Sequence, residues 1–431
     1  MFLAALFLGV GAQSHVLRCY REVYDLALYK GKVAAATSGG ALVEKNRRWV
    51  GLGLNSPAPL RKLFVEGSTL DAVDRAGMTY ELRQPGETWV STGRLTGAAA
   101  SALPSPTVSF QGRNLVGNWG SRYLRDAAGA PVIPRDPADG DYALLADKDR
   151  LLAGTPTGIY EWNGSRWSRD ELPAGLPVLR PQGIGFSGGQ TIVAGLEGVY
   201  VRRRTEWAHP SKEPVRQLLA TTSGVFVLYG SGAVDKFDLI HNQIVYDAVN
   251  EGAKRPWTSC LAAFEKTVVF GGQGGWIERT PKGIAEHYLK EIDNDVVMAV
   301  AGRGTERWIG TQKTGLLRFN GGSIKSWNPG NGLTDTWVTA LLHTRDGLYV
   351  ATSTDGLYLL KGDTIQPIAS PTRRPRSLAQ YKGKVVVGGM DGAWIHDASG
   401  WRTLPTGSEE TTSIVAGSKL VITTAAGVYF L

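Results

Sequence analysis

The chain has 431 residues, of which 42% are hydrophobic and 20% charged, and its formal net charge is +8. This balance excludes an intrinsically disordered chain, and the two cysteines exclude a small scaffold held together by disulfides. The 55 glycines in 431 residues exceed the average usage of roughly 7%, which indicates many tight turns.

The N-terminal residues 1–12, MFLAALFLGVGA, form an apolar run that is too short to span a bilayer. Ala12 and Ser14 suit the small-residue positions before a signal-peptidase cut, although no Lys or Arg precedes the run. We predict a signal peptide over residues 1–14, with a buried strand as the alternative. The prediction implies a periplasmic or secreted protein without an integral membrane segment.

From residue 15 to the C-terminus, one pattern of short β-rich runs repeats, and each copy has a glycine that opens its third run. These glycines are Gly40, Gly77, Gly120, Gly158, Gly198, Gly232, Gly275, Gly315, Gly356, Gly392 and Gly427. Their mean spacing of about 39 residues is close to the roughly 40–45 residues of a four-stranded propeller blade. The pattern predicts an all-β chain, a β-propeller built from about eleven four-stranded blade repeats.

Eleven repeats exceed the usual four to eight blades of one propeller, so we expect two adjoining propellers rather than one large ring. A small-residue loop from Arg94 to Thr107 is the best candidate for an internal seam. The last repeat, Ser413 to Leu431, has only three strands, and Val16 to Tyr20 offers a spare one. We predict that the two chain ends pair and so remove open sheet edges.

Nine residues after the repeat glycine, seven repeats carry a large apolar residue: Trp49, Trp167, Trp207, Ile284, Ile324, Ile365 and Trp401. A sheet that packs on both faces needs bulky side chains at fixed places. We therefore expect the four tryptophans of this set to be largely buried between or within blades.

The clearest repeats lie in Val296 to Ile368, and one of them, NGLTDTWVTALLHTRDGLYVATSTDGLYLL, resembles the two-component-regulator propeller repeat. The matching positions are Gly332, Leu333, Val338, Gly347, Val350, Thr352, Gly356 and Leu357, and residues 303–319 fit the same core. The resemblance implies a propeller like the periplasmic sensor portion of bacterial hybrid histidine kinases and some diguanylate cyclases. The motif residues are structural, so the resemblance implies no functional residue.

The sequence contains none of the common phosphate-loop, metalloprotease, redox or serine-hydrolase motifs. Its six histidines lie in different repeats without metal-ligand spacing, so we predict neither a metal nor a cofactor. Asp293-Asn294-Asp295 indicates a turn rather than a calcium loop. Cys19 and Cys260 form one disulfide or remain two free buried thiols.

Two basic clusters, Arg202-Arg203-Arg204 and Arg373-Arg374-Pro375-Arg376, contribute to the positive charge. Such clusters can bind a polyanionic glycan, an anionic membrane surface or nucleic acid. The other basic residues are spread along the chain, and no nucleic-acid-binding motif accompanies the clusters. We predict that these arginines lie at strand ends and turns, and that nucleic acid is not a partner.

Propeller geometry predicts where a site lies, because the connections between second and third strands meet on one face beside the central channel. These connections contain the candidate binding residues Trp119, Glu197, Gln273, Lys313, Asp355 and Asp391. Unlike side chains at equivalent positions are typical of a binding face, but plain turn variation produces them too.

The favoured function is an exported, non-catalytic binding or sensor module for a glycan, a peptide or a partner protein. The first alternative is a carbohydrate-active enzyme, either a polysaccharide lyase or a glycoside hydrolase. Such an enzyme needs acid and base residues that converge from several blades. The second alternative is a structural scaffold in an envelope assembly.

Overall fold

The computed structural model describes residues 15–53, 56–95, 105–117, 123–134, 140, 142–173, 175–178, 180–187, 189–203, 206–221, 224–238, 241–246, 258–407 and 409–431. The predicted signal peptide at 1–14 and the candidate residue Trp119 lie outside the described residues. Within the described ranges there are 44 β-strands, together with the short 3-10 helices Lys290–Ile292 and Pro329–Asn331. No helix in this part of the chain has the length and apolar character needed to cross a membrane.

The strands pair into eleven four-stranded sheets, which confirms the predicted all-β fold and the predicted number of repeats. The chain divides into two compact units, Leu17–Leu176 and Met1–Val16 with Pro177–Leu431. We call them the four-sheet unit and the seven-sheet unit. The predicted seam at 94–107 falls inside the four-sheet unit, and its residues 96–104 lie outside the described part of the chain.

The four-sheet unit holds sheet 1 (β2 Val23–Tyr29, β3 Lys32–Thr37, β4 Gly40–Lys45, β5 Arg48–Gly51), sheet 2 (β6 Leu60–Glu66, β7 Thr69–Asp74, β8 Met78–Arg83, β9 Thr88–Arg94), sheet 3 (β10 Thr107–Phe110, β11 Arg113–Val116, β12 Tyr123–Asp126, β13 Pro131–Pro134) and sheet 4 (β14 Ala143–Asp147, β15 Arg150–Thr155, β16 Gly158–Trp162, β17 Trp167–Arg169). Each sheet is an antiparallel meander. The first strand β2 of sheet 1 packs against β6 of sheet 2 and also against β14 of sheet 4.

The seven-sheet unit holds sheet 5 (β18 Gly183–Ser187, β19 Gln190–Gly195, β20 Gly198–Arg203, β21 Glu206–Ser211), sheet 6 (β22 Val215–Thr221, β23 Gly224–Tyr229, β24 Val234–Asp238, β25 His241–Tyr246), sheet 7 (β26 Thr258–Phe264, β27 Thr267–Gly272, β28 Gly275–Thr280, β29 Gly283–Tyr288), sheet 8 (β30 Val297–Arg303, β31 Glu306–Thr311, β32 Leu316–Asn320, β33 Ser323–Trp327), sheet 9 (β34 Val338–His343, β35 Leu348–Thr352, β36 Leu357–Lys361, β37 Thr364–Ile368), sheet 10 (β38 Pro375–Tyr381, β39 Lys384–Gly389, β40 Gly392–Asp397, β41 Gly400–Thr403) and sheet 11 (β42 Thr411–Ala416, β43 Leu420–Thr424, β44 Gly427–Phe430).

Sheet 11 gains its fourth strand from the other end of the chain. The N-terminal strand β1, His15–Leu17, pairs with β44, so the order in the sheet is β1-β44-β43-β42. The predicted pairing of the chain ends is therefore confirmed, with the strand slightly earlier than Val16 to Tyr20.

The first strands of the seven-sheet unit contact one another in cyclic order, since β18 packs against β22 at one side and against β42 at the other. A side chain near the start of a first strand often hydrogen-bonds a backbone carbonyl at the start of the next sheet. The pairs are Arg216 to Thr258, Ser259 to Val297, Thr339 to Pro375 and Thr412 to Pro181. These bonds bring the starts of neighbouring first strands to the same level.

The core lies between the sheets, because the middle strands are apolar on both faces. All six residues of β23 are buried, and five of the six residues of β39 are buried. One cluster joins Trp308 and Trp327 of sheet 8 to Val350 and Tyr358 of sheet 9. A strand that is buried on both faces is a continuous apolar run rather than an alternating one.

The predicted glycine lies at or just before the third strand in most repeats. Gly198 and Gly315 have positive φ angles of 112° and 100°. A Cβ atom would lie 2.0 Å from the Ser211 carbonyl oxygen at the first and 2.4 Å from the Trp327 carbonyl oxygen at the second. Both the backbone conformation and the close approach of the fourth strand therefore require glycine.

The tryptophans that lie nine residues after the repeat glycine link neighbouring sheets. Trp49 is 5% exposed, which confirms the prediction for this residue, whereas Trp167, Trp207 and Trp401 are half-buried. The indole N–H groups donate to Asp170 from Trp49, to Pro134 from Trp167 and to Ala369 from Trp401. Each bond crosses to the neighbouring sheet.

Both cysteines are buried thiols and form no disulfide, so of the two alternatives the structure shows two thiols. Cys260 donates to the Val297 carbonyl oxygen of sheet 8 at 3.6 Å. Burial raises the pKa of the Cys260 thiol to about 12, which keeps it protonated and unreactive near neutral pH.

We expect Gly315→Ala to lower the free energy of unfolding by about 2–4 kcal/mol, because it combines a steric clash with a strained φ angle. Gly321→Ala is the matched control, since Gly321 also has a positive φ angle but nothing within 4 Å of an added Cβ. The control should lose only about 1 kcal/mol in urea denaturation. Equal losses for the two variants would show that the contact with Trp327 does not matter.

Candidate functional site

The connections between second and third strands of the seven-sheet unit lie at the end where the first strands begin. In several sheets the connection donates a backbone N–H to the residue just before the first strand. The pairs are Gly230 to Pro214, Gln312 to Val296, Ser353 to Trp337 and Ala425 to Glu410. Because the starts of neighbouring first strands are level, these connections share one face, which we call the turn face.

A buried threonine at the end of the second strand anchors the connection in many sheets. Its hydroxyl donates to the carbonyl of the repeat glycine in Thr311 to Gly315 and Thr352 to Gly356. The Thr311 hydroxyl oxygen also accepts from the backbone N–H groups of Thr314 and Gly315. The small-residue and threonine pattern of the repeat therefore fixes the backbone of the turn.

The predicted site residues of the seven-sheet unit all lie in these connections: Glu197 in sheet 5, Gln273 in sheet 7, Lys313 in sheet 8, Asp355 in sheet 9 and Asp391 in sheet 10. Gln273, Lys313, Asp355 and Asp391 are exposed, and Glu197 is half-buried. Trp119, the sixth candidate, lies outside the described residues.

The two candidate aspartates are held by local hydroxyl groups. The Thr334 hydroxyl donates to the Asp355 carboxylate at 2.6 Å, and the Thr372 hydroxyl donates to the Asp391 carboxylate at 2.7 Å. In both cases the threonine precedes the first strand of the same sheet. The aspartates therefore help to fix the turn while one side of each carboxylate still faces solvent.

Asp295 performs a related task and is the anchor that sequence reasoning interpreted only as a turn residue. Its carboxylate accepts from the backbone N–H groups of Val296, Lys313 and Thr314 at 2.7–3.1 Å. Burial acts to raise the pKa of this carboxyl, but hydrogen bonds from Thr314 and Val296 outweigh it and hold the pKa below its usual value. Lys313 is thus presented on a turn whose backbone is held by a buried charge.

Asp335 holds the corresponding turn of sheet 9. Its carboxylate accepts from the backbone N–H of Trp337 at 2.9 Å and from the backbone N–H and the hydroxyl of Thr354 at 2.6 and 2.9 Å. The Thr354 hydroxyl also lies 3.4 Å from the Asp355 carboxylate. The two carboxylates share a donor, and both are occupied by hydrogen bonds that stabilise the turn.

Trp337 is the functional candidate that sequence reasoning missed. It lies just before the first strand of sheet 9, and its side chain is 40% exposed. Because it does not occupy the position nine residues after the repeat glycine, the periodic pattern gave no role to it. The signal that the sequence offered was a tryptophan immediately before the first strand of a repeat.

Within the described ranges, no three His, Cys, Asp or Glu side chains come together in a way that could hold a metal ion. The described residues of the turn face include the exposed charged side chains of Lys313, Asp355 and Asp391 and the exposed Trp337.

No protein-family model matches the chain. No curated protein matches it either. Among solved structures it is similar to PorZ, described as an essential bacterial surface component of the type-IX secretion system of Porphyromonas gingivalis, at 13% identity and a TM-score of 0.52. That match covers 95% of this chain and 68% of PorZ. At this identity the likeness shows the fold.

Two further similar structures have lower TM-scores. The extracellular domain of BT4673 from B. thetaiotaomicron, named as a hybrid two component system, has 13% identity and a TM-score of 0.47 over 98% of this chain and 82% of that one. The computationally designed protein Ika8 has 15% identity and a TM-score of 0.45 over 68% of this chain and 96% of the designed one.

We expect Asp295→Asn to lower the free energy of unfolding by about 2 kcal/mol at neutral pH, because an amide places donors against the N–H groups that now face a carboxylate. The folded-state pKa is depressed, so the contribution of Asp295 is complete above its unfolded pKa of about 3.9 and is lost as the pH falls through the folded value. The difference between wild type and variant should be constant from about pH 5 to pH 8 and shrink below about pH 4.

Glu286→Gln is the control, since Glu286 is an exposed carboxyl on β29 of sheet 7. Urea unfolding at a series of pH values measures both variants. A pH-independent deficit for Asp295→Asn down to about pH 2 would contradict a charged role for Asp295.

Proposed function

We propose that the chain is an exported, non-catalytic binding or sensor module that recognises a glycan, a peptide or a partner protein through the turn face of its seven-sheet unit. One observation carries the proposal. In sheets 8, 9 and 11 the same threonine-to-glycine hydrogen bond holds the backbone of the turn, while the exposed side chains on the turns differ from sheet to sheet.

Constant anchoring supports recognition, because a side chain on a fixed backbone loses less conformational freedom when it binds. Lys313 lies on a turn that is fixed by Thr311 and Asp295. Asp355 lies on a turn that is fixed by Thr352 and Asp335. Neighbouring sheets 8 and 9 therefore present a cation and an anion on corresponding turns, one position apart in the repeat.

Trp337 adds an aromatic surface to the same region. The backbone carbonyl of Trp337 accepts from Ser353, two residues before Asp355, so the indole and the Asp355 turn belong to one hydrogen-bonded loop pair. Binding sites commonly combine an apolar platform with a few placed polar groups, and tryptophan is enriched where binding energy concentrates.

A carbohydrate-active enzyme, the alternative from the sequence, would need an acid and a base free to act on substrate. Two carboxylates of the turn face, Asp335 and Asp355, both accept hydrogen bonds from groups of the turn. This occupancy favours binding over catalysis.

Two observations support an exported location. The apolar run at residues 1–12 has the composition of a signal peptide. PorZ, which has a similar fold, is described as a surface component. We also propose, from the residues of the clearest repeats, that the blades are of the two-component-regulator propeller type.

The test is an array of glycans and peptides probed with the wild-type chain and with Trp337→Ala. We expect bound spots for the wild type and affinities roughly tenfold weaker for the variant, because a central aromatic contact commonly contributes more than about 1 kcal/mol. Titration calorimetry on the strongest spot measures the loss.

Ile284→Ala is the matched control, since Ile284 is a similarly exposed apolar residue, 47% exposed, on the outermost strand of sheet 7. It should bind as the wild type does. Retention of full affinity by Trp337→Ala, or release of shortened products from a bound glycan, would overturn the proposal in favour of another surface or of catalysis.

A further inference from the structure

The basic cluster at residues 373–376 has no part in the proposed function so far, and it lies on the turn face. Pro375 begins β38, the first strand of sheet 10, so Arg373 and Arg374 directly precede that strand. Trp337 directly precedes β34, the first strand of sheet 9. The tryptophan and Arg374 therefore occupy corresponding positions at the starts of neighbouring sheets.

Contacts between sheets 9 and 10 bring these positions together. The hydroxyl of Thr339, two residues after Trp337, donates to the Pro375 carbonyl oxygen at 2.7 Å, and β34 packs against β38. The link that leads into sheet 10 passes beside the turn of sheet 9, because a Cβ atom built on Gly356 would lie 3.0 Å from the Ser370 Cβ. The tryptophan and the two arginines that precede β38 therefore lie at one level on adjoining sheets.

Two of the three arginines in the cluster carry charges that the protein does not match. Arg373 and Arg374 are exposed, and among the described residues no carboxylate forms an ion pair with either of them. Arg376, in contrast, pairs with Glu410 of sheet 11 at 3.3 Å. Asp391, the acidic residue on the turn of sheet 10, accepts from a threonine hydroxyl and not from an arginine. Two neighbouring cations are thus left for a partner outside the chain.

The backbone that carries Arg374 is fixed. Its N–H donates to the Thr372 hydroxyl oxygen at 3.2 Å, and the same hydroxyl donates to the Asp391 carboxylate at 2.7 Å. The buried Pro375 follows, and a proline restricts the conformation of the residue before it. The backbone of Trp337 is likewise held at its N–H and at its carbonyl. Groups that are fixed in this way lose less conformational freedom when they bind.

We propose that an acidic segment of a partner protein binds here, with its carboxylates on the guanidinium groups of Arg373 and Arg374 and an apolar side chain on the Trp337 indole. Arginine can hold a carboxylate through two parallel hydrogen bonds. Tryptophan and arginine are residues in which binding energy concentrates at protein interfaces, so this composition favours a protein segment over a glycan. The inference rests on the proposed function, since it names the partner class for the same face.

The test is an array of short peptides, in which Asp or Glu residues flank one aromatic or aliphatic residue, probed with the full chain. A matched array carries Asn and Gln in place of the acidic residues, and oligogalacturonate is the glycan probe. We expect acidic peptides to bind, with an affinity that falls as the salt concentration rises, because ions screen exposed charges. Equal binding of the uncharged peptides, or tighter binding of oligogalacturonate than of any acidic peptide, would overturn the proposal.

The variant is the double substitution Arg373→Gln with Arg374→Gln, measured by fluorescence anisotropy with the strongest acidic peptide. It should weaken binding at least roughly tenfold and flatten the salt dependence, because charge-assisted hydrogen bonds are lost. Its unfolding in urea should match that of the wild type, since both side chains are exposed and unpaired. If this variant keeps full affinity while Trp337→Ala loses it, the acidic partner is refuted and the proposed function stands. Full affinity in both variants contradicts both proposals.

The control is Arg303→Gln with Arg345→Gln, which removes the same charge from two exposed arginines at the opposite end of sheets 8 and 9. Arg303 ends β30, and Arg345 lies in the hairpin between β34 and β35. This variant should bind the peptide as the wild type does. An equal loss of affinity in both double variants would show that the peptide responds to overall charge and would refute a site at the starts of sheets 9 and 10.

Discussion

The structure depends on one constraint: each four-stranded sheet has two apolar faces and can bury neither of them alone. The middle strands β23 and β39 are buried almost throughout, which requires a sheet on either side. A linear stack would leave two apolar faces in water, whereas cyclic contacts such as that between β18 and β42 cover them. The pairing of β1 with β44 completes sheet 11 and covers the edge that β44 would otherwise leave unpaired.

This constraint separates the scaffold from the surface that can vary. In sheets 8, 9 and 11 a threonine at the end of the second strand holds the second-to-third-strand turn by a hydrogen bond to the repeat glycine, as Thr311 and Gly315 show. The exposed side chains of the turns differ between sheets. Repeats that must stack identically can therefore carry unlike side chains, such as Lys313 and Asp355, at one end without loss of packing.

The periodic features could be predicted from the sequence because they repeat: the number of sheets, the glycine at the third strand and the closure by the N-terminal strand. Features that do not recur from repeat to repeat could not be predicted in this way. Asp295 was expected only to form a turn, but its carboxylate holds backbone groups 18 and 19 residues later. Trp337 has no counterpart in most repeats, and the bond from Arg150 to Glu44 joins residues 106 positions apart.

Two buried or half-buried ionic networks show how arginines join neighbouring sheets in the two units. Between sheets 7 and 8, Glu278 accepts from Arg307 at 2.6 and 2.9 Å and from the Trp276 indole at 3.0 Å. Burial acts to raise the pKa of Glu278, but the Arg307 hydrogen bonds lower it, so the carboxylate is charged and matched. The charges of Glu278 and Arg307 therefore neutralise each other within the protein. In the four-sheet unit, Arg150 of sheet 4 donates to Glu44 of sheet 1 at 2.9 and 3.0 Å and to Glu161 of its own sheet at 2.9 and 3.2 Å. In both units, therefore, an arginine of one sheet is paired with a carboxylate of the sheet beside it. A charge that is removed from water between apolar faces is tolerated only when such a partner is present, so these pairs join sheets whose other contacts are apolar.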